Sequence, residues 1–513
     1  MKIGGQRTIV DLFLENAGRA PDQSFIRFEG EEFTFGEMGR ASGQVAETLV
    51  EAGVGHQSRV ALAMGNRPAF LAAFLGILRC GATAIPLNTL YKPDEVRYAL
   101  EHAQCQAVVT EETLGTTVNE ACRLAAQDMV VLLADTGDET RFGLLSDRAR
   151  AEPPNKSPAR PGPGDLAGIF YTSGTTARPK GVMISHENLM YSAEVTIKSL
   201  GLGANDVPLL AFPLFHVNSL FYGALTAIVL QGTIGLLGGF SVSAYWADAV
   251  RSGATWTPGI TGPLVQLLLD KEASQVDSRH TMRFAVGGMF RSLDQIRAFK
   301  DRFGVALVPG WSMTETVSLG TLHPVNRPTP MPVITGIGYP TLGQEIRLIR
   351  DDGSEADIGE PGEILYRSPS LFAGYLNDEA ATREAFTADG WFRSGDVAYM
   401  DENGYLAFMD RKKEMIKTRG ENVAAAEIER ALNEHPAVLE SAAIGVPEQQ
   451  GLLGERIEAY VVKGDEAVLE ADELLRWVGQ RLADFKVPGV IHFLGQLPKT
   501  PLGKIQRQKL RSK

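Results

Sequence analysis

Apolar positions set two rhythms that alternate through the first 160 residues. Residues 35–52 carry them at helical spacing and stop at Gly53; 68–80 do the same and stop at Gly81; 93–103 form a third such stretch. Between and after them lie short, continuously apolar runs of strand length, at 59–64, 82–87, 107–110 and 129–134. Helix and strand signals at this spacing predict βα units around a mostly parallel sheet. A polar, Pro-rich connector, 153–163, leads to a strand at 166–170, an apolar run at 182–184, and a capped helix start at Ser185-His186-Glu187-Asn188-Leu189. The alternation then resumes, with helical patterns at 247–252, 263–271 and 293–303 separated by apolar runs at 255–257, 284–286 and 306–308. From about 335 to 408 the rhythm changes to short strands (345–349, 363–367, 405–409) split by turns such as Asp352-Gly353 and Glu402-Asn403-Gly404. After it, helices at 424–432 and 471–482 and strands at 440–444 and 457–462 make a compact tail. The expected fold is a large α/β N-terminal domain, residues 1–410, made of two α/β subdomains and a small β-rich one, with a smaller α+β C-terminal domain, residues 411–513. No fixed-period repeat is present.

Composition narrows the function classes. A chain of 513 residues is too long for one ordinary core. With 50 Lys and Arg against 62 Asp and Glu, the net charge is −12, which argues against general nucleic-acid binding. The three cysteines, Cys80, Cys105 and Cys122, are an odd and sparse set without metal-ligand spacing, so reduced thiols in the cytoplasm are expected. Asp11 and Glu15 interrupt any apolar leader. Residues 207–247 hold no Asp, Glu, Lys or Arg, and 219–237 approaches the roughly 20 residues a membrane span needs. Gln231-Gly232 divides that stretch into a buried helix and a buried strand, so no integral span is expected. Nothing here fixes the oligomeric state, and a homodimer stays open.

The richest chemistry lies between strand 166–170 and the run at 182–184. Thr172-Ser173-Gly174-Thr175-Thr176-Ala177-Arg178-Pro179-Lys180-Gly181 combines four hydroxyls, two glycines and a lysine. Glycine lets backbone N–H groups approach an anion, hydroxyls add donors, and lysine adds a mobile point charge, all suited to a polyphosphate. A plain Ser/Thr/Gly surface loop is the simpler alternative. The Walker pattern fails, because Pro179 precedes Lys180 where glycine is required and Gly181 follows where Ser or Thr is required.

This stretch resembles the phosphate loop of the adenylate-forming superfamily: acyl-CoA synthetases, aryl-CoA ligases, luciferases and nonribosomal adenylation domains. Ala177 stands where the family usually has glycine. Further blocks follow in family order. Phe212-Pro213-Leu214-Phe215-His216-Val217-Asn218 is similar to the aromatic-rich acyl-pocket motif. Val286-Gly287-Gly288-Met289-Phe290, which by itself reads as a turn after a strand, is similar to the block that abuts adenine and acyl group, with Met289 and Phe290 replacing the usual Ala-Pro. Gly310-Trp311-Ser312-Met313-Thr314-Glu315-Thr316 resembles G-Y-G-M-T-E, with Trp311 in place of Tyr. Gly374-Tyr375 and then Gly390 to Asp396 form the next block, in which Asp396 matches the ribose-binding acid; Arg411 matches its ribose/phosphate partner, Lys413 the hinge, and Ile416 to Val423 the thiol tunnel. Leu497-Pro498-Lys499-Thr500-Pro501-Leu502-Gly503-Lys504 matches the catalytic loop.

The resemblance implies roles residue by residue. Thr172, Ser173, Gly174, Thr175, Thr176 and Lys180 would cradle ATP phosphates. Trp311 would stack on the purine, Thr314 would touch the α-phosphate, and Glu315 would ligate Mg²⁺. Asp396 and Arg411 would hold the ribose. His216, Asn218, Gly288, Met289 and Trp311 would line the acid pocket, with Gly288 also beside the nucleotide. Lys504 would bridge carboxylate and α-phosphate, and Lys413 would let the C-terminal domain rotate so that Arg419 and Gly420 meet CoA. The implied activity is an ATP-dependent acyl-CoA synthetase for a short-chain, medium-chain or aryl acid. Two alternatives stand beside it: a stand-alone adenylating enzyme serving a carrier protein, and a nucleotide-binding regulator without turnover.

Overall fold

The structure is a computed structural model that describes residues 7–125, 129–134, 142–144, 160–172, 179–288, 290, 292–325, 336–411, 415–418, 421–447, 455–464, 469–482, 484–499 and 505–511. Its first element, the helix Ile9–Arg19, is one the sequence reading did not select. Thr8 caps it in a reciprocal box with Asp11, so the acidic residue that breaks an apolar leader instead starts an amphipathic helix whose Ile9, Val10 and Phe13 face the core.

An eight-stranded sheet runs in the order Gly374–Tyr375, Lys180–Ser185, Leu166–Thr172, Thr83–Pro86, Arg59–Ala63, Ala107–Glu111, Val130–Ala134, Phe142–Leu144. Its five central strands are parallel, and both flanks end antiparallel. Alternate residues of Arg59–Ala63 serve opposite faces. Val60 and Leu62 join the core under helices Phe35–Glu51 and Pro68–Arg79, whereas Ala61 and Ala63 join the one under Pro93–Ala103 and Glu112–Ala125. Helix Pro68–Arg79 is buried from Pro68 to Leu78, which explains its unbroken apolar character.

The second sheet begins with three parallel strands, Trp256–Thr261, Phe284–Gly288 and Ala306–Trp311. Through Thr321–Leu322 it continues without a break into antiparallel Gly336–Pro340, Leu406–Arg411, Phe392–Met400, Gly362–Arg367 and Glu345–Ile349. The β-rich stretch therefore extends this sheet by hydrogen bonding. Short two-residue pairings at the junction leave little apolar alternation, which is why the continuity is invisible in the sequence.

The charge-free stretch folds as strand Leu209–Leu210, a π-helical turn Asn218–Ala224 running into helix Leu225–Leu230, and strand Ile234–Leu236. Gln231 breaks it in the left-handed region, φ 52°, and Ile234–Leu236 pairs parallel with Ser24–Phe28. Among the described residues no helix is long and apolar enough to cross a membrane. Beyond Arg411, strand Met415–Thr418 pairs with Glu421–Ala424, and Val438–Pro447, Glu455–Lys463 and Val490–Phe493 form a separate three-stranded sheet. Helices Ala425–Asn433 and Ala471–Gly479 cover one of its faces, and Leu497 and Leu510 close the other.

Candidate active site

The polyphosphate-like stretch sits at one end of a strand pair. Leu166–Thr172 and Lys180–Ser185 are antiparallel, and Thr172 lies opposite Lys180. Ser173, Gly174, Thr175 and Thr176 lie outside the described residues. A strand, not a helix, follows Lys180, so the Walker reading fails in structure as it does in spacing. The Lys180 ammonium stands 4.7 Å from the centre of the Tyr375 ring. Tyr375 reaches it because Gly374–Tyr375 pairs with Met183 and Val182, and because Gly374 at φ 132° admits a backbone path other residues rarely take.

The Tyr375 hydroxyl donates to Glu315 Oε1 at 2.9 Å, and Phe372 N–H donates to the Glu315 carbonyl at 3.0 Å. Burial and then the neighbouring Glu315 carboxylate push the phenol upward, so it keeps its proton and remains a donor. Glu315 is only 7 % exposed. Two residues on, the β-branched Val317 adopts φ 59°, a strained conformation for such a residue, with its carbonyl held by Ser192 Oγ. Thr314 is half-buried on the same turn, its carbonyl accepting from Val317 N–H. Among the described residues, no group of three or more His, Cys, Asp or Glu is placed to hold a metal alone. Glu315, a hard oxygen donor beside the stretch with Lys180, fits a Mg²⁺ that takes its other ligands from phosphate and water.

Behind Lys180 lies a cavity of about 420 Å³ lined by Tyr98, His102, Pro179, Lys180, Tyr375 and Glu384, among others. Tyr98 Oη donates to the Pro179 carbonyl at 3.1 Å, bracing the start of the returning strand. His102 Nδ1 and Tyr171 Oη lie 2.9 Å apart.

Trp311 and Asp396, widely separated in sequence, meet. The indole Nε1 donates to Asp396 Oδ2 at 2.7 Å, with the two residues 6 % and 3 % exposed. The ring also packs edge-on to Tyr366, and a Cβ on Gly320 would lie 2.6 Å from it, so glycine there lets the backbone cover the indole. The residue read as a purine platform is therefore also an anchor for the acid expected at the ribose. Arg411 faces Asp396 in the strand pairing.

On the acid side, His216 precedes the π-helical turn that opens with Asn218. Its Nε2 is buried with no hydrogen-bond partner, and burial pushes the imidazole down to about 4, so it is neutral at pH 7. Asn218 abuts Gly259, φ +86°, where a Cβ would lie 3.2 Å from the Asn218 side chain. The paired glycines do not form the turn their spacing suggests. They finish strand Phe284–Gly288, and a Cβ on Gly287 would overlap the Ile260 carbonyl of the neighbouring strand. Gly288 lies next to the Gly310 carbonyl, two strands' ends converging on one edge.

Met289, Lys413, Arg419, Gly420 and Lys504 lie outside the described residues. Their flanks are anchored. Thr418 pairs with Glu421, Lys499 bridges Ile505, and Gln506 N–H donates to the Pro498 carbonyl at 2.8 Å. Just beyond, Arg507 Nη2 contacts both oxygens of the largely buried Glu429 at 2.8 Å. Sequence reading missed Glu429 and Arg507. It placed Gly374-Tyr375 at the start of a block but gave Tyr375 no role.

Comparison with known proteins decides the family. Residues 13–376 match the AMP-binding enzyme family, and residues 427–504 match the AMP-binding enzyme C-terminal domain. The chain belongs to the AMP-binding enzymes. It is 34 % identical over 507 residues to a sulfoacetate–CoA ligase of Cupriavidus necator, covering 98 % of this chain and 97 % of that one. ATP-bound MatB from Rhodopseudomonas palustris superposes with a TM-score of 0.85 at 28 % identity, over 98 % of each chain. A benzoate CoA ligase from Burkholderia xenovorans gives 0.84 at 28 % identity, over 98 % of this chain and 100 % of that one. This AMP-binding enzyme is an AMP-forming acid–CoA ligase that uses ATP, Mg²⁺ and CoA.

Proposed function

We propose that the enzyme activates a compact carboxylic acid, short-chain, medium-chain or aryl, in two steps carried by the residues described above. In the first, the substrate carboxylate attacks the α-phosphorus of ATP, forming acyl-AMP and releasing pyrophosphate. In the second, the CoA thiol attacks the acyl carbonyl and AMP leaves. The observation that carries this reading is the convergence of Lys180, Tyr375 and Glu315 beside the hydroxyl-rich stretch, with Asp396 held by Trp311 on the neighbouring sheet.

Mg²⁺ on Glu315 supplies charge to offset the phosphates. Lys180 and the donors of residues 172–176 oppose the charge that builds on phosphate oxygens, where one such group is typically worth about 10²–10³ in rate. Asp396 and Arg411 hold the ribose, and Lys504 bridges carboxylate and α-phosphate. The neutral His216 and Asn218 flank the acid. A boundary at 410/411 and a hinge at Lys413 exchange Lys504 for the Arg419-Gly420 side between steps. The sulfoacetate, ferulate and benzoate named for the relatives support an acid of this compact size. Three unbridged cysteines support a reducing, cytoplasmic setting.

The test is Lys504→Ala assayed in both half-reactions. Acyl-AMP formation should be abolished, whereas thioester formation from supplied acyl-AMP should persist. Equal loss in both would overturn the role. A carboxylate panel assayed with and without CoA identifies the acid, and AMP release that ignores CoA would favour a carrier-protein acceptor.

A further inference from the structure

We infer that Tyr375 is the positioning residue that couples the lysine of the phosphate stretch to the magnesium carboxylate. The inference rests on the proposed placement of Mg²⁺ at Glu315 and goes beyond it by assigning what makes that carboxylate ready.

Tyr375 touches both groups with different parts of one side chain. Its hydroxyl donates to Glu315 Oε1 at 2.9 Å, and its ring face meets the Lys180 ammonium at 4.7 Å. A carboxylate rotates about its terminal bond at little cost, and one hydrogen bond from a rigid ring fixes that rotation. The ring itself is held from several directions. Tyr375 N–H donates to Thr382 Oγ1 at 2.9 Å, Leu376 N–H donates to the Gly181 carbonyl at 2.8 Å, and Ala373 N–H donates to the Met183 carbonyl at 2.8 Å. Phe372 stacks edge-on against it at 4.9 Å while its own N–H holds the Glu315 backbone. The segment 372–376 is thus stitched to the strand that carries Lys180 and to Glu315 at once. A residue that only filled space would need neither the hydroxyl contact nor the cation.

The experiment is equilibrium ATP binding by calorimetry, without any carboxylic acid, in excess Mg²⁺ and again in EDTA. Tyr375→Phe keeps the ring and deletes the hydroxyl. The Mg²⁺-dependent tightening of ATP binding should shrink about tenfold, the usual scale of one hydrogen bond to a charged group. The EDTA value and the thermal midpoint should stay at wild type. Tyr375→Leu removes the ring as well and should weaken ATP binding in EDTA too. An unchanged Mg²⁺ effect in Tyr375→Phe overturns the inference, and so does an equal loss with and without metal, which would mark a merely structural residue. Failure of the ligase reading itself would look different: the wild-type protein would form no acyl-AMP from any acid.

Discussion

Replacing Trp311 by phenylalanine tests the proposed ribose end of the site by deleting the indole N–H together with the fused ring that carries it. The change keeps an aromatic ring against Tyr366 and removes the Nε1–H that meets Asp396 Oδ2 at 2.7 Å. A hydrogen bond to a charged group is worth about 1.5–3 kcal/mol net. Asp396 is 3 % exposed, so little water is available to substitute for the lost donor. At about 1.4 kcal/mol per decade, the expected loss in ATP affinity is about 10- to 150-fold. The KM for ATP should rise more than the KM for the carboxylic acid, because the lost bond is the one made to Asp396. A sharper readout is discrimination. If the indole orients Asp396 toward the sugar, the preference for ATP over its 2′-deoxy analogue should narrow in Trp311→Phe. The assay is calorimetric binding of both nucleotides, with a thermal scan to confirm the fold. Unaltered nucleotide affinity, or an equal rise in KM for acid and ATP, would refute the reasoning.

Two further outcomes follow from buried charge. Arg507→Ala strips the partner from Glu429, whose carboxyl burial already pushes upward, and breaking a buried pair costs about 3–5 kcal/mol. With the guanidinium gone, the carboxyl is raised further above its unfolded value, so the deficit should be largest at pH 8 and shrink toward pH 5, as urea unfolding at both values will show. His186 is fully buried with neither ring nitrogen bonded, and burial pushes it down to about 4. Its folded value lies below the unfolded 6.5, so the unfolded chain binds the extra proton and stability falls as pH drops from 6.5 toward 4. That loss is on the order of 3 kcal/mol by the 1.36 kcal/mol-per-unit rule, and His186→Leu should flatten this limb of the pH–stability curve.

The parts of this molecule legible in its sequence are those governed by local rules. Residues 59–64 and 107–110 read as strands because their apolar runs are continuous, as sheets buried on both faces demand, and they fold as Arg59–Ala63 and Ala107–Glu111. Ser185 reads as a helix cap because capping chemistry lies within three residues of it. Glu315 and Asp396 were singled out as candidate site acids from motif order alone. What brings them into geometry was not. Trp311 and Asp396 lie 85 positions apart, Tyr375 and Glu315 60 apart, Arg507 and Glu429 78 apart. No periodicity reports such a meeting, since each pair is made by elements far apart in the chain packing side by side. Helix Ile9–Arg19 escaped for a different reason: Asp11 and Glu15, which exclude an apolar leader, are at the same time the polar positions of an amphipathic helix.

The balance of charge at the site bears on why the proposed mechanism draws on two domains. Glu315 and Lys180 meet through Tyr375, and Asp396 is held by Trp311, in a chain whose net charge is −12. ATP adds several more negative charges. Tyr375 moderates the problem by giving Glu315 a neutral donor and Lys180 an aromatic face, but it adds no cation. Backbone donors and Mg²⁺ can hold the ground state. Charge that shifts onto the α-phosphate during attack needs a further cation brought close only for that step. On the proposed reading that cation is Lys504, and the described residues on either side of it are held by the Arg507–Glu429 pair and the Lys499–Ile505 bridge. A cation delivered from a second domain can also be withdrawn. On the same proposed reading, withdrawal would clear the approach to the acyl carbonyl for a thiol, so the charge that draws the second domain in for the first step would make its departure useful for the second.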